Sequence, residues 1–292
     1  MTKPTPIAQA IGQARGRPFI PNEMSTVAGG DISQAYRVAD AVDSFFVKTQ
    51  PASRVAMFEA EAAGLAALAA ARAVRVPAVV AVGTTADVAY LVLEDLPLRA
   101  AGNAAALGAQ LAQQHRAHAA RFGWQQDNWI GANAQPNGWR DDWLAFWRDQ
   151  RLGHQLRLAA GNGLGGALQR EGDALLARLD AFFDGYALSP SLLHGDLWGG
   201  NHGYLADGTP VLFDPAVYYG DRECDLAMSE LFGGFAPAFH AAYREAWPLD
   251  AGYAVRKTLY NLYHVLNHAN LFGGGYAGQA QRMASQLLAQ VR

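Results

Sequence analysis

Leu193–Asn201 reads LHGDLWGGN, so Asp196 and Asn201 stand five positions apart on one segment that follows an apolar run. Asp214 follows eighteen residues after Asp196 and ends a second apolar run. A carboxylate can accept a proton from a hydroxyl group, and carboxylate and amide oxygens are ligands that Mg²⁺ prefers. If a hairpin joins the two loops, Asp196 can serve as a base while Asn201 and Asp214 hold one metal ion.

The same spacing matches the kinase catalytic-loop pattern His-x-Asp-x-x-x-x-Asn, with Gly195 where protein kinases usually have arginine. Phosphoryl transfer needs a bound nucleotide, Mg²⁺ to neutralise its charge and a base for the acceptor hydroxyl. We therefore predict ATP and Mg²⁺ as cofactors, Asp196 as the base, and Asn201 and Asp214 as metal ligands. Either aspartate alone would more often be an ordinary loop residue, and the combination favours the site.

A lysine and a glutamate upstream complete this set. Lys48 ends a predicted strand, and Glu61 follows thirteen positions later on a predicted helix. In kinases a strand lysine contacts the α- and β-phosphates and is held by a helix glutamate. Glu59 competes for this role, and we favour Glu61 because the apolar face of Leu65 and Leu68 follows it.

Two backbone segments are predicted to contact the nucleotide. Gly29 and Gly30 lie between two predicted strands, where their N–H groups could face phosphate oxygens. A glycine pair is more often a simple hairpin turn. Its position ahead of Lys48 favours the phosphate-binding interpretation. The apolar strand Tyr90–Leu93 enters a turn, and the backbone of Glu94-Asp95-Leu96 is predicted to contact the adenine edge.

Other residues near these motifs have more than one interpretation. Trp198 follows the catalytic loop directly, where a flat ring could stack on a substrate or wedge the loop against the core. His115 and His264 lie on apolar helical faces and are predicted to be core histidines. Asp225 and Arg222 are predicted to anchor the catalytic loop by hydrogen bonds.

The order of patterns predicts an α+β protein of two lobes. Up to residue 95 the chain reads strand, strand, strand, helix, strand, strand. Helical patterns then recur from Ala104 to Phe183 and again from Cys224 to Arg292, separated by two short apolar runs. We predict an N-terminal nucleotide-binding lobe at 1–95, with an antiparallel sheet and one main helix, and a larger, mainly helical lobe at 96–292.

Bulk composition argues against several classes of protein. The 292 residues are 51% hydrophobic and 17% charged, which is ordinary for a globular protein. A net charge of -3 gives no general reason to expect binding to nucleic acid or to a membrane surface. The single cysteine, Cys224, cannot form an internal disulfide. No signal peptide or membrane span is predicted, so we expect a cytoplasmic protein.

The Leu193–Asn201 segment resembles the signature of the fructosamine kinase (ketosamine-3-kinase) family, which is related to aminoglycoside phosphotransferases and choline kinases. The resemblance runs from about residue 7 to the C-terminal helix. Further matching segments are GGDISQAY at 29–36, MFEAE at 57–61, DNWIG at 127–131, QRL at 150–152, YGDRECDLA at 219–227 and YHVLNH at 263–268. The Trp198-Gly199-Gly200 insert and the Asn267-His268 pair point to the fructosamine branch.

This resemblance implies a protein-kinase-like fold and ATP-dependent phosphorylation of the sugar 3-hydroxyl of ketosamines. The acceptor would be a ribulosamine, erythrulosamine or fructosamine, either small or on a protein lysine, and the reaction would act in deglycation. Some family members carry a cysteine after the glycine turn that permits redox-linked dimers. Asp31 occupies that position here, so we expect a monomer or a weak homodimer.

Two alternatives remain open. An aminoglycoside, choline or other amino-alcohol kinase would share the core motif, but an aminoglycoside site should be strongly acidic. The region after Cys224 holds few acids beyond the Glu223/Asp225 motif, namely Glu230, Glu245 and Asp250. A non-catalytic pseudokinase is the other alternative. It is disfavoured because the lysine, the base and the metal ligands are all present.

Overall fold

The computed structural model of the chain describes residues 5–27 and 32–291, which form two compact units. The first unit holds the described residues up to Asn103 with Gly203–Asp214; the second holds Ala104–His202 and the described residues from Pro215 onward. The boundary predicted between residues 95 and 96 stays a prediction. That prediction did not place Gly203–Asp214 in the first unit. The sequence of a short hairpin does not indicate which part of the protein it packs against.

The first unit is built on an antiparallel sheet of five strands in the order β1-β2-β3-β5-β4. Along the chain these strands are β1 (Glu23–Val27), β2 (Gln34–Ala39), β3 (Ser44–Pro51), β4 (Val79–Thr84) and β5 (Val88–Glu94). Aromatic and β-branched residues are frequent in β3 and β5, as expected for strands paired on both sides. The antiparallel sheet predicted for this part of the chain is confirmed.

The two faces of β3 have different surroundings. Phe45 and Val47 pack with Ile11 and Phe19 in a buried cluster. Successive residues of a strand point to opposite faces, so Lys48 projects from the face opposite this cluster. Because side chains alternate along β3, Lys48 lies on one face of the sheet and the apolar cluster lies on the other.

The α-helices described in the first unit are Pro6–Arg15 and Val55–Ala71. The hydroxyl of Thr5 caps the first helix by accepting a hydrogen bond from the Ala8 N–H at 3.3 Å, and proline at the first helical position suits the same start. This helix ends at Gly16, whose φ of 68° is left-handed. A short 3₁₀ turn, Ala52–Arg54, connects β3 to the second helix, which carries Glu61.

The second unit is mainly helical, as predicted. Its described α-helices are Ala104–Gln114, Trp143–Phe146, Gly153–Gly161, Ala167–Leu176, Glu223–Leu231, Pro237–Ala246, Tyr253–Phe272 and Tyr276–Gln290. None of the described helices combines the length and apolar character needed to cross a membrane.

Short strand pairs support the loops that carry the motifs. They are Ser191–Leu193 with Tyr218–Gly220, His202–Tyr204 with Pro210–Leu212, and Asn128–Ile130 with Asn133–Gln135. The first pair ends immediately before the catalytic-loop residues. The second pair is the hairpin predicted between Asn201 and Asp214.

Candidate active site

Lys48, Glu61 and Asp214 form one charged group within the first unit. The Nζ atom of Lys48 lies 2.7 Å from Oε1 of Glu61 and 2.6 Å from Oδ1 of Asp214. Burial by itself would lower the pKa of Lys48, but Asp214 and Glu61 outweigh burial and raise that pKa above its ordinary value. The ammonium group therefore stays protonated, which is the state that attracts phosphate oxygens.

The geometry also resolves the choice between Glu59 and Glu61. Both lie on the helix Val55–Ala71, but Glu59 is exposed whereas Glu61 is partly buried and bonded to Lys48. Residues two positions apart on a helix do not share a face. The burial of Phe58 and Leu65 in this helix fixes which face turns to the sheet.

Replacing Glu61 with glutamine is expected to raise the KM for ATP and to lower kcat/KM at least about tenfold. Glutamine can still accept from Lys48 but carries no charge, so the variant loses most of the strength of a charged hydrogen bond worth about 1.5–3 kcal/mol, and about 1.4 kcal/mol corresponds to a factor of ten. Steady-state kinetics with varied ATP would measure the effect. Glu59→Gln is the matched control, since it makes the same change on an exposed site of the same helix. Equal effects of the two variants would contradict the assignment of Glu61.

Asp214 adopts a backbone conformation that is uncommon for a residue with a side chain. Its φ is 56°, in the left-handed region. Such conformations persist only where the surroundings determine them, and they cluster at functional sites. Asp214 comes two residues after the hairpin strand Pro210–Leu212, and this conformation accompanies the contact of its carboxylate with Lys48.

Asp196 and Asn201 lie together in the second unit. The Nδ2 group of Asn201 donates to the backbone oxygen of Asp196 at 2.9 Å and to its Oδ2 at 3.1 Å. Asn201 therefore closes the loop and orients the Asp196 carboxylate. Because Nδ2 faces Asp196, the amide oxygen is the end of Asn201 that has the chemistry of a metal ligand.

Asp225 anchors the start of this loop, as predicted. Its Oδ2 accepts from the His194 N–H at 2.7 Å, and its Oδ1 accepts from the Gly195 N–H at 2.8 Å. Gly195 has a φ of 82°, and a Cβ built on it would lie 2.0 Å from the backbone oxygen of Ala216. This position admits only glycine, which explains the departure from the arginine of protein kinases.

Arg222 was also predicted to anchor the catalytic loop, but its hydrogen bonds go to a different segment. Its guanidinium donates to the carbonyl oxygens of Trp247 at 3.1 Å and Pro248 at 2.6 Å, and it stacks on the Trp247 ring. It therefore braces the segment after the helix Pro237–Ala246, because its side chain reaches the far end of that helix. His264 is a buried core histidine, as predicted, and burial lowers its pKa to about 3.

The Trp198-Gly199-Gly200 insert is explained by close contacts. A Cβ on Gly200 would lie 2.2 Å from the indole of Trp198, so the ring packs directly over this glycine. A Cβ on Gly199 would lie 2.8 Å from the backbone oxygen of Gly233 and 2.9 Å from the Cα of Gly234. Trp198 thus folds over its own loop while 40% of it stays exposed. The predicted stacking on a substrate stays a prediction.

The predicted adenine-binding turn has its acidic side chains tied to neighbouring arginines. Glu94 accepts two bonds from Arg75, at 2.5 and 2.7 Å, and Asp95 accepts one from Arg37 at 2.6 Å. These ion pairs hold the turn in place. Leu96 follows as a partly buried residue. Contact of this backbone with adenine stays a prediction.

Gly29 and Gly30 belong to residues 28–31, which lie outside the described residues, so their predicted contact with phosphate also stays a prediction. The described residues on either side pair as antiparallel strands, with Val27 opposite Ala35.

Arg151 is a supporting residue that belongs to the matching segment at 150–152 but is not among the predicted site residues. It is fully buried, its guanidinium lies 3.9 Å from the centroid of the Tyr218 ring, and it donates to Pro136 O and Asn137 Oδ1, both at 2.6 Å. It lies in a six-residue π-helical turn, a feature found often near functional sites. No separate sequence pattern identifies it, because an arginine among aromatic residues also occurs on exposed helix faces.

Known proteins match this chain over nearly its whole length. The sequence model of the fructosamine kinase family matches residues 4–290. A candidate ketoamine kinase of Synechocystis sp. is 47% identical over 288 residues, covering 97% of this chain and 96% of that protein. A chloroplastic protein-ribulosamine 3-kinase of Arabidopsis thaliana is 39% identical over 274 residues, covering 92% of this chain and 84% of the relative.

Solved structures agree with the sequence matches. A candidate fructosamine-3-kinase from Haemophilus somnus has a TM-score of 0.89 at 31% identity, covering 97% of this chain and 96% of the other. An aminoglycoside phosphotransferase has a TM-score of 0.63 at 14% identity, which shows a common fold alone. Together these structures confirm the predicted protein-kinase-like fold.

Proposed function

We propose, because this chain belongs to the fructosamine kinase family, that it phosphorylates the sugar 3-hydroxyl of a ribulosamine, erythrulosamine or fructosamine and acts in deglycation. The enzyme is an ATP-dependent phosphotransferase with an alcohol group as acceptor. The 3-hydroxyl is supported by the Arabidopsis relative, which is named a ribulosamine 3-kinase.

The observation that carries this proposal is the position of the Asp196 carboxylate. Asn201 orients it through two hydrogen bonds, and Asp225 fixes the two residues before it. A fixed carboxylate is suited to accept the proton of an acceptor hydroxyl as the phosphoryl group is transferred. We assign Asp196 as the catalytic base.

On the nucleotide side, we assign Lys48 to the α- and β-phosphates. Its two carboxylate partners keep it charged and limit its motion, so it presents a fixed cation. Gly29 and Gly30 would supply backbone N–H groups to phosphate, and the Glu94-Asp95-Leu96 backbone would contact the adenine edge.

The residues present fit a magnesium ion. Asn201 and Asp214 each offer a hard oxygen donor, and Mg²⁺ needs only one or two protein ligands beside phosphate oxygens and water. Among the residues that the structure describes, no cluster of three or more His, Cys, Asp or Glu side chains is arranged to hold a metal by itself. We propose Asn201 and Asp214 as its ligands, and the ion when bound would neutralise charge on the phosphates.

Trp198 is our candidate for contact with the acceptor. Trp198 packs over Gly200 yet is 40% exposed, and it lies only two positions from the base. Aromatic rings present an apolar face with an electron-rich centre, which suits both the C–H face of a sugar and the ammonium of a glycated amine. We propose that the amine-bearing sugar stacks on this ring.

We propose the cytoplasm as the place of action, on small glycated amines or glycated lysines of proteins. The single cysteine is buried and unpaired, as suits a reducing compartment.

The acceptor is tested by an ATP-turnover assay with ribulosyl-lysine, fructosyl-lysine, choline and kanamycin. We expect turnover with the ketosamines and phosphate on O3 of the product, located by NMR. Trp198→Ala should raise the KM for the ketosamine and leave the KM for ATP unchanged, with Trp139→Ala as a control outside the loop. Turnover confined to choline or kanamycin would overturn the proposed acceptor.

A further inference from the structure

The segment Gly233–Phe235 lies between the helices Glu223–Leu231 and Pro237–Ala246 of the second unit. It packs against the catalytic loop at two points, of which the first is a contact between backbones. A Cβ on Gly234 would lie 2.7 Å from the Cα of Gly199. Gly234 also has a φ of 97°, which residues with a side chain rarely adopt. The close approach and the backbone conformation both require glycine at this position.

The second contact joins two aromatic rings. The Phe235 ring stacks on the His202 ring, with the centroids 4.3 Å apart and an angle of 22° between the planes. Phe235 also packs on Phe239, at 4.6 Å between ring centroids, and Phe239 is fully buried. The core of the second unit therefore supports Phe235, and Phe235 in turn supports His202.

His202 follows Asn201 directly and is tied to the turn Trp198–Asn201. The Asn201 N–H donates to the backbone oxygen of Trp198 at 3.0 Å, which closes this turn. The His202 ring also makes a hydrogen bond to the backbone of Trp198. Gly199 is the second residue of the turn and His202 follows its last residue. The segment Gly233–Phe235 therefore contacts the turn at both of its ends.

We propose that Phe235 is a positioning residue, which together with Gly234 places Asn201 for the binding of Mg²⁺. The proposal rests on the assignment of Asn201 as a metal ligand in the proposed function. The hydrogen bonds from Nδ2 to Asp196 orient the side chain of Asn201, but the turn determines where its backbone lies. Phe235 and Gly234 hold this turn from its two ends. Metal ligands commonly depend on such neighbours, which do not themselves touch the ion.

The matched variants are Phe235→Leu and Phe235→Tyr. Leucine stays apolar but lacks the ring that stacks on His202, whereas tyrosine keeps the ring. Calorimetric titration with ATP at several Mg²⁺ concentrations should give an apparent affinity for Mg²⁺ about tenfold weaker in Phe235→Leu, at the lower end of the effects of such supporting residues. Phe235→Tyr should stay close to the unchanged enzyme. Phe232→Leu is the control, because it removes an exposed ring directly before the same segment.

Two further measurements test the contact itself. Hydrogen exchange at the Asn201 amide, measured without metal or substrate, should be faster in Phe235→Leu than in Phe235→Tyr. In a double-mutant cycle, Phe235→Leu combined with His202→Leu should weaken the affinity for Mg²⁺ no more than His202→Leu alone, because both changes remove the same stacking contact. Thermal melting shows whether each variant is folded. Gly234→Ala tests the backbone contact separately and should show the same weaker affinity and faster exchange.

Equal exchange at Asn201 in the two Phe235 variants, or independent effects in the cycle, would overturn the proposal. Faster exchange with an unchanged affinity for Mg²⁺ would also overturn it, because the turn would then move without any effect on the metal. If the unchanged enzyme bound ATP equally well with and without Mg²⁺, the assignment of Asn201 in the proposed function would fail instead.

Discussion

Replacing Asp196 with asparagine is expected to reduce phosphoryl transfer about 1000-fold, within the range typical for loss of a general base. Asparagine has nearly the same shape and can still pair with Asn201, but it cannot accept the proton of the acceptor hydroxyl. Lys48 and its two carboxylate partners are unchanged, so the affinity for ATP should stay close to that of the unchanged enzyme. The result separates chemistry from nucleotide binding.

Single-turnover kinetics with excess enzyme would measure the transfer step, and isothermal titration calorimetry would measure ATP binding. Asp87→Asn is the control, because Asp87 is an exposed aspartate in the turn between β4 and β5. Normal turnover of Asp196→Asn on a verified acceptor would show that another group takes the proton. A loss of ATP affinity equal to the loss of rate would point to disruption of the fold.

The features that sequence reasoning predicted correctly depend on local spacing. Asp196 and Asn201 lie five positions apart in one loop, so their contact needs only the loop to close. Lys48 and Glu61 lie on a strand and on the helix that follows it, so the pair needs only the correct face of each element. The five strands of the sheet could also be predicted, because the alternation of apolar residues that indicates a strand is a local pattern.

The features that sequence reasoning missed depend on contacts between distant residues. Asp214 was predicted only as a metal ligand, whereas it also contacts Lys48, 166 positions earlier. Gly199 owes its identity to the backbone of Gly233 and Gly234. His115 was correctly predicted to be buried, but its hydrogen-bond partners lie 110 and 128 positions away, and no local pattern identifies them.

The helix Pro6–Arg15 is a different case, because its signals are local. Thr5 caps it, Pro6 occupies the first helical position, and Gly16 ends it in the left-handed region. The predicted element order of the first lobe begins with a strand and does not include this helix. The capping residues could have identified this helix from the sequence.

Replacing Asp214 with asparagine is expected to lower kcat at least about 100-fold, because stabilisation of phosphoryl charge by a bound metal is worth several kcal/mol and about 1.4 kcal/mol is tenfold. The amide keeps the size of the side chain but removes its charge. Lys48 keeps Glu61 as a partner, so the first unit should remain folded. The variant should therefore lose the part of its ATP affinity that depends on Mg²⁺.

Calorimetric titration with ATP over a range of Mg²⁺ concentrations tests this directly. The unchanged enzyme should bind ATP more tightly as Mg²⁺ rises, whereas Asp214→Asn should show a much weaker dependence, because an amide oxygen is an uncharged and weaker ligand than a carboxylate. Asp207→Asn is the matched control, because Asp207 lies in the exposed turn of the same hairpin. If Asp214→Asn kept the Mg²⁺ dependence but lost kcat, the contact with Lys48 and not metal binding would be the role of this carboxylate. Loss of both, with the Asp207 variant unaffected, assigns Asp214 to the metal and leaves Lys48 to the phosphates.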